Sequence, residues 1–210
     1  MIRDAAAPPP PATPWVSYTI LAGSVAVFGA DLLLGGRLAQ LGDLYGPEVI
    51  AGQWWRPFSC VFVHGGLLHI VFNMSAVVSL GRVVEINIGS FRFLICSLVG
   101  AMGSACAVLA WRFDQHTVGA SGVILAWAGA LLPIANQSGR RQLGIWLLQV
   151  AVISLLPQVS GAGHFGGFLF GLPCGWVMRQ PPKLFSTLAP VLLFIAAALL
   201  TLAGSGRHNL

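Results

Sequence analysis

Four polar side chains in an otherwise apolar sequence have the types and spacing for chemistry. Ser121 sits in Gly119-Ala120-Ser121-Gly122, where the glycines leave the hydroxyl uncrowded. A helix starting there would set the serine among free backbone N–H groups at the positive end of a dipole. That environment suits a nucleophile whose attack creates an oxyanion. The same residues equally suit a helix-capping serine beside small packing residues, which are common in membrane helices. His164 follows Gly161-Ala162-Gly163, with Gly167 and Gly171 three and seven residues further on. Those three positions share one helix face, and glycines on it let a neighbouring helix come close. If that neighbour carries Ser121, His164 reaches it as general base, since an ordinary imidazole titrates at about pH 6.5. Otherwise His164 makes a structural hydrogen bond between helices. His69 and Asn73 are four residues apart, hence on one face. Both can donate to an oxyanion, or serve as polar glue between helices. Residues 115–178 contain no Asp or Glu. A Ser-His dyad is therefore expected rather than a buried Ser-His-Asp triad.

The elements that must position these residues are set by composition. The 210 residues are 56% hydrophobic and 8% charged, with a mean hydropathy of +0.81. A soluble domain carries about 25% charged residues. The expected class is therefore an all-α integral membrane protein forming one compact bundle. The net charge is +5, from 11 Lys+Arg and 6 Asp+Glu. The basic residues are scattered singly with no basic face, so they speak for membrane orientation rather than nucleic acid. Cys60, Cys96, Cys106 and Cys174 lie in or beside apolar runs without a C-x-x-C pair, and read as core thiols.

Residues 1–14 are Pro-rich and read as a disordered tail. Residues 15–34 carry Asp31 as their only charge, and match the roughly 20 apolar residues a span needs. A signal peptide would need a positive start and an A-x-A-like site, so a first span is expected instead. Residues 35–63 are a long connection rich in interfacial aromatics. Further spans are expected over 67–84, 93–111 and 121–135. A polar break follows over 136–142, then spans over 143–156, 162–178 and 184–203. Pro157 and the run Ser160-Gly161-Ala162-Gly163 divide the uncharged stretch 142–178.

Seven spans put the termini on opposite sides. With the N-terminus inside, Arg3, Arg82, Arg92, Arg140, Arg141, Arg179 and Lys183 are cytoplasmic, seven basic residues against four outside (Arg37, Arg56, Arg112, Arg207). That follows the positive-inside rule. The long first connection and the N-termini of the fourth and sixth spans then face outward.

Taken together, the motifs make the chain similar to the rhomboid intramembrane serine proteases over residues 15–180. Trp55-Arg56 resembles the family's WR element. His64, His69 and Asn73 match HxxxxHxxxN, and Gly81, Glu85 and Gly89 match GxxxExxxG. Gly119 to Gly122 is the GxSG motif, and His164, Gly167 and Gly171 fit HxxGxxxG. The resemblance implies a six-helix catalytic bundle over 15–180, with the span at 184–203 as an additional C-terminal helix. It implies Ser121 as nucleophile and His164 as general base. It implies an oxyanion hole from His69, Asn73 and the Ser121 N–H. Gly119, Gly122, Gly167 and Gly171 become motif and packing positions, while Trp55, Arg56 and Glu85 look structural and His64 lies near the mouth of the site. The activity implied is hydrolysis of peptide bonds in or near transmembrane segments. Its partners are the lipid bilayer and single-span membrane-protein substrates, with no metal and no cofactor.

Three other readings compete. One keeps the fold without activity, but such relatives typically lose the serine or the histidine, and both are here. A haem- or metal-binding protein would use His64, His69 and His164, although His64 and His164 fall near helix ends. A transporter or channel would show internal repeats or intramembrane charges. The small size and the lack of an organelle-targeting presequence point to a bacterial cytoplasmic membrane.

Overall fold

The computed structural model describes residues 13–205. The expected tail over 1–14 lies, apart from Thr13 and Pro14, outside the described residues. The chain is nearly all helical. In order the helices are α1 (Trp15–Leu33), α2 (Arg37–Gly42), α3 (Gly46–Ile50), α4 (Arg56–Ser59) and α5 (Leu67–Ile88). They continue as α6 (Ser90–Trp111), α7 (Ser121–Leu131), α8 (Gln137–Ile153), α9 (Gly161–Val177) and α10 (Pro182–Ser205). Helices stand at all seven expected places. Four of them, α1, α5, α6 and α10, are long and apolar enough to cross a membrane.

Several bounds differ from expectation: α5 runs on to Ile88 rather than 84, α6 starts at Ser90 rather than 93, and α7 stops at Leu131 rather than 135. The polar stretch 136–142 is no break: α8 begins at Gln137, because the Asn136 side chain caps it by accepting from the Gly139 N–H at 2.8 Å. A side chain that satisfies an orphan donor of the first turn starts a helix whatever the polarity of that turn. The long connection 35–63 is also not featureless, since it folds into α2, α3 and α4.

The interior is built around α6 and α7. In α7, every residue from Gly122 to Ala130 is buried. Its Trp127 is fully buried, donates from Nε1 to Ser97 Oγ at 3.0 Å, and lies 4.7 Å from the Phe93 ring. The indole fits because Gly81 faces it: a Cβ at Gly81 would lie 2.6 Å from the ring. That glycine ends a π-helical turn, Val77–Gly81, inside α5.

Glu85, 1% exposed, explains its place in the sequence. Its carboxylate accepts from the Val16 N–H at 2.9 Å, the Ser17 N–H at 2.8 Å and the Ser17 hydroxyl at 2.7 Å. Those amides belong to the first turn of α1, which has no intrahelical acceptor for them. A buried anion at the positive end of the helix thus anchors α1 to α5.

Lipid tails are as apolar as leucine, so close backbone packing must hold such a bundle together. α9 supplies it by wedging between α6 and α7. A Cβ at Gly167 would lie 1.9 Å from Gly122 O, at Gly171 2.1 Å from Ala126 O, and at Gly175 2.1 Å from Ala130 O. Three contacts, two steps of four residues apart on each helix, make one seam, the i±4 ridge packing of two helices. A Cβ at Gly166 would lie 2.3 Å from Gly103 O, which marks a second close approach, on α6. By contrast, α8 buries only Leu143.

Candidate active site

The loop before Ser121 is clamped by the first connection. Leu44 and Thr117 exchange backbone hydrogen bonds of 2.8 and 2.9 Å, and the Gly119 N–H donates to Cys60 O at 2.8 Å. Arg56, 4% exposed, organises the other side of the clamp. Its guanidinium donates to the Asp43 carboxylate, to Asp43 O at 2.8 Å, to Gln40 O at 3.0 Å and to Gln53 Oε1 at 2.9 Å. The second Asp43 oxygen meets His116 Nδ1 at 2.5 Å, and His116 stacks on Tyr45 at 4.2 Å between ring centroids. Arg56 is therefore structural, and it fixes the loop from which Ser121 emerges.

Gly119 turns the chain with φ +113°, a conformation that disfavours any side chain. Ala120 then occupies the cap position, and α7 begins at Ser121. The cap position falls on Ala120 and Ser121 is the first helical residue, so the helix-capping role open to it in sequence is not the one it takes. It is partly exposed at the N-terminus of α7 and lines a small cleft with Gly119, Gly122, Ser104, Ser160 and Gly163.

His69 and Asn73, one turn apart on α5, face that loop. A Cβ at Gly119 would lie 2.6 Å from His69 Nε2 and 3.6 Å from Asn73 Nδ2. The Gly65 N–H donates to His69 Nδ1 at 3.4 Å. A neutral His69 therefore carries its proton on Nε2, the nitrogen beside Gly119. Asn73, 5% exposed, spends one amide hydrogen on His69 O at 3.0 Å and keeps the other. His64 stacks edge-on to His69 at 5.1 Å, with Nδ1 3.2 Å from Phe62 O and Nε2 buried without a partner. Burial, with His69 alongside, pushes the His64 imidazole down to about 4.

His164 lies in the first turn of α9, between Gly163 and Gly167, the two residues that meet Gly122 next to Ser121. The glycine seam thus brings the two candidate residues to the same end of the α7–α9 contact. No hydrogen bond joins their side chains among the described residues. His164 Nδ1 is instead 2.6 Å from Ser154 Oγ. Catalytic hydrogen bonds are often open in unliganded sites, so the separation is compatible with the pair acting together.

Sequence reasoning singled out Ser121, His164, His69 and Asn73 as candidates, and did not single out Ser104, Ser154 or Asp43, which the structure places around them. Ser104 sits opposite both Gly122 and Gly163, whose would-be Cβ atoms lie 2.1 and 3.0 Å from its Oγ. Only its place in the small-residue run 101–107 hinted at it. Among the described residues no group of three or more His, Cys, Asp or Glu is placed to hold a metal. All four cysteines are free thiols, three of them buried.

Comparison with known proteins gives one consistent answer. A family model described as "Rhomboid domain" matches residues 51–181. "RHOMBOID-like protein 5" of Arabidopsis thaliana is 31% identical over 157 residues, 70% of this chain and 51% of its own length. "Rhomboid protease GluP" of Bacillus subtilis is 29% identical over 172 residues, 75% of this chain and 34% of its own. "RHOMBOID-like protein 7" of Arabidopsis thaliana is 30% identical over 170 residues, 74% and 54% respectively. The chain spans about half the length, or less, of these relatives.

Proposed function

The chain belongs to the rhomboid family and is a multi-pass integral membrane protein, and from that premise we propose that it is an intramembrane serine endopeptidase. One observation carries the reading. Ser121 opens a buried helix without capping it, while His69 and Asn73 press on its loop from one side and His164 arrives across a backbone-to-backbone seam on the other.

The chemistry follows from those positions. His164 takes the Ser121 proton as Oγ bonds to the carbonyl carbon of a membrane-protein substrate. The carbonyl electron pair moves to its oxygen, where His69 Nε2–H, Asn73 Nδ2–H and the Ser121 N–H donate to it. Collapse breaks the C–N bond, and His164 returns the proton to the leaving amine. Water then attacks the acyl-enzyme, again passing its proton through His164, and Ser121 is released. The substrate must unwind locally, because a helix hides its carbonyls in hydrogen bonds. Single-span membrane proteins with helix-weakening residues are therefore the proposed substrates.

α7 has 11 residues, about 16 Å at 1.5 Å per residue, against a hydrocarbon core of about 30 Å. A helix that short supports a catalytic serine below the membrane surface, in a cleft open to water. We take residues 15–180 as the catalytic unit, which the matched stretch 51–181 supports, and 184–203 as an additional span. The basic residues support a cytoplasmic N-terminus. A bacterial cytoplasmic membrane is the proposed location.

The test is direct. A fluorophosphonate probe added to the protein in detergent is expected to leave its adduct on Ser121, located by mass spectrometry. The same preparation is expected to cut a single-span substrate in liposomes. Neither adduct nor cleavage would sink the reading.

The oxyanion role has its own signature. His69→Ala and Asn73→Ala are each expected to lower kcat about 10²–10³-fold, the usual loss of one donor. Substrate KM should change little, because the oxyanion exists only along the reaction path. Unchanged kcat in both variants would remove them from that role.

A further inference from the structure

We propose that Ser154 is the positioning residue for His164: its hydroxyl holds the imidazole proton on Nδ1 and leaves Nε2 as the basic atom. The inference deepens the protease reading and rests on it. Ser154 ends α8, and its Oγ is 2.7 Å from Val150 O and 2.6 Å from His164 Nδ1. A carbonyl oxygen can only accept, so the single hydroxyl hydrogen goes to Val150 O. The short contact with His164 must then run the other way, from Nδ1–H to Oγ. A neutral imidazole has one N–H, so Nε2 carries a lone pair. This is the tautomer that a general base needs, and in triad enzymes a carboxylate selects it.

No carboxylate is at hand in sequence, since residues 115–178 have no Asp or Glu. The serine supplies the orientation without the charge. Its seat is also fixed: a Cβ at Gly161 would lie 3.1 Å from Ser154 O, so the end of α8 and the start of α9 are in backbone contact. α8 buries little else, so this link ties a sparsely packed helix to the first turn of α9. Displacing the end of α8 would release the ring that Ser154 holds.

The experiment compares full-length wild type with Ser154→Ala and Ser154→Thr in detergent, with His164→Asn used to assign the His164 signals. Nitrogen-15 NMR of histidine-labelled protein reads the tautomer, and fluorophosphonate labelling reads the reactivity of Ser121 without a substrate. Wild type is expected to hold the Nδ1–H form. Ser154→Ala is expected to shift His164 towards Nε2–H and to slow labelling about tenfold, the worth of one hydrogen bond to a reacting group. Ser154→Thr keeps the hydroxyl and is expected to restore both readouts to within about twofold of wild type. An Ala variant with the wild-type tautomer and labelling rate would overturn the proposal. So would equal loss in Ala and Thr, which would mean packing rather than the hydroxyl matters. Absence of labelling in wild type would defeat the protease reading instead, and the tautomer comparison would still decide whether Ser154 orders His164.

Discussion

Ser121→Ala and His164→Ala are each expected to lower cleavage by about 10⁴–10⁶-fold, with the double variant scarcely worse than either. The non-additivity is the informative part. Groups that act as one unit lose most of their effect when the first is removed, and what is left comes from binding and oxyanion donors. The fold should not suffer in the first of these variants. Ser121 stands one residue inside the cap position, which is Ala120, and the loop before α7 is held through its backbone by the first connection. Its removal is expected to move stability by about 0.5 kcal/mol or less. Initial rates on a single-span substrate, with a thermal melt of each variant, check both halves. Cleavage by Ser121→Ala above about one per cent of wild type would count against the dyad, since a mechanism through Ser121 loses far more.

Gly167→Val is expected to be the most damaging single change to the fold. The would-be Cβ at this position lies 1.9 Å from Gly122 O, a backbone atom that cannot rotate away. Relief requires the two helices to separate, and with them Gly171 from Ala126 and Gly175 from Ala130. Overpacking of this kind costs about 3 kcal/mol or more. The candidate site is expected to fail with the fold, because this seam is what brings the His164 end of α9 beside the Ser121 end of α7. Gly144→Ala is the matched control. That glycine lies on α8 with nothing within 4 Å of its would-be Cβ, so alanine there is expected to be neutral or stabilising by up to about 1 kcal/mol. Thermal unfolding in detergent separates the two. A Gly167→Val protein that melts within a degree of wild type would refute the seam as the main fastening.

Much of the fold and the site is legible in the sequence because helical periodicity makes local spacing speak. His69 and Asn73 at four residues, and His164, Gly167 and Gly171 at three and seven, declare shared faces through their spacing alone. Gly163 and Gly175 extend the same period, so the length of the seam is written there too. Helix ends are less legible. The polarity of residues 136–142 conceals the fact that Asn136 caps a helix rather than ending one. Least legible are links between distant residues. Asp43 meets His116 across 73 positions and Glu85 caps α1 across 68, and no periodicity connects them. Ser154 is only ten residues from His164, but a proline-containing turn lies between them, and spacing rules stop at turns.

On the proposed protease reading, the α7–α9 seam also sets when activity can begin. Ser121 leaves the ribosome 43 residues ahead of His164 (164 − 121), roughly 2–9 s at about 5–20 residues per second. During that interval the proposed nucleophile exists without its proposed base. Its partner helix must be inserted, and the seam closed as far as Gly175, before the two are brought to the same end of one helix pair. On that reading the chain is expected to be silent until α9 is in place, and a truncated product that lacks α9 is expected to stay silent.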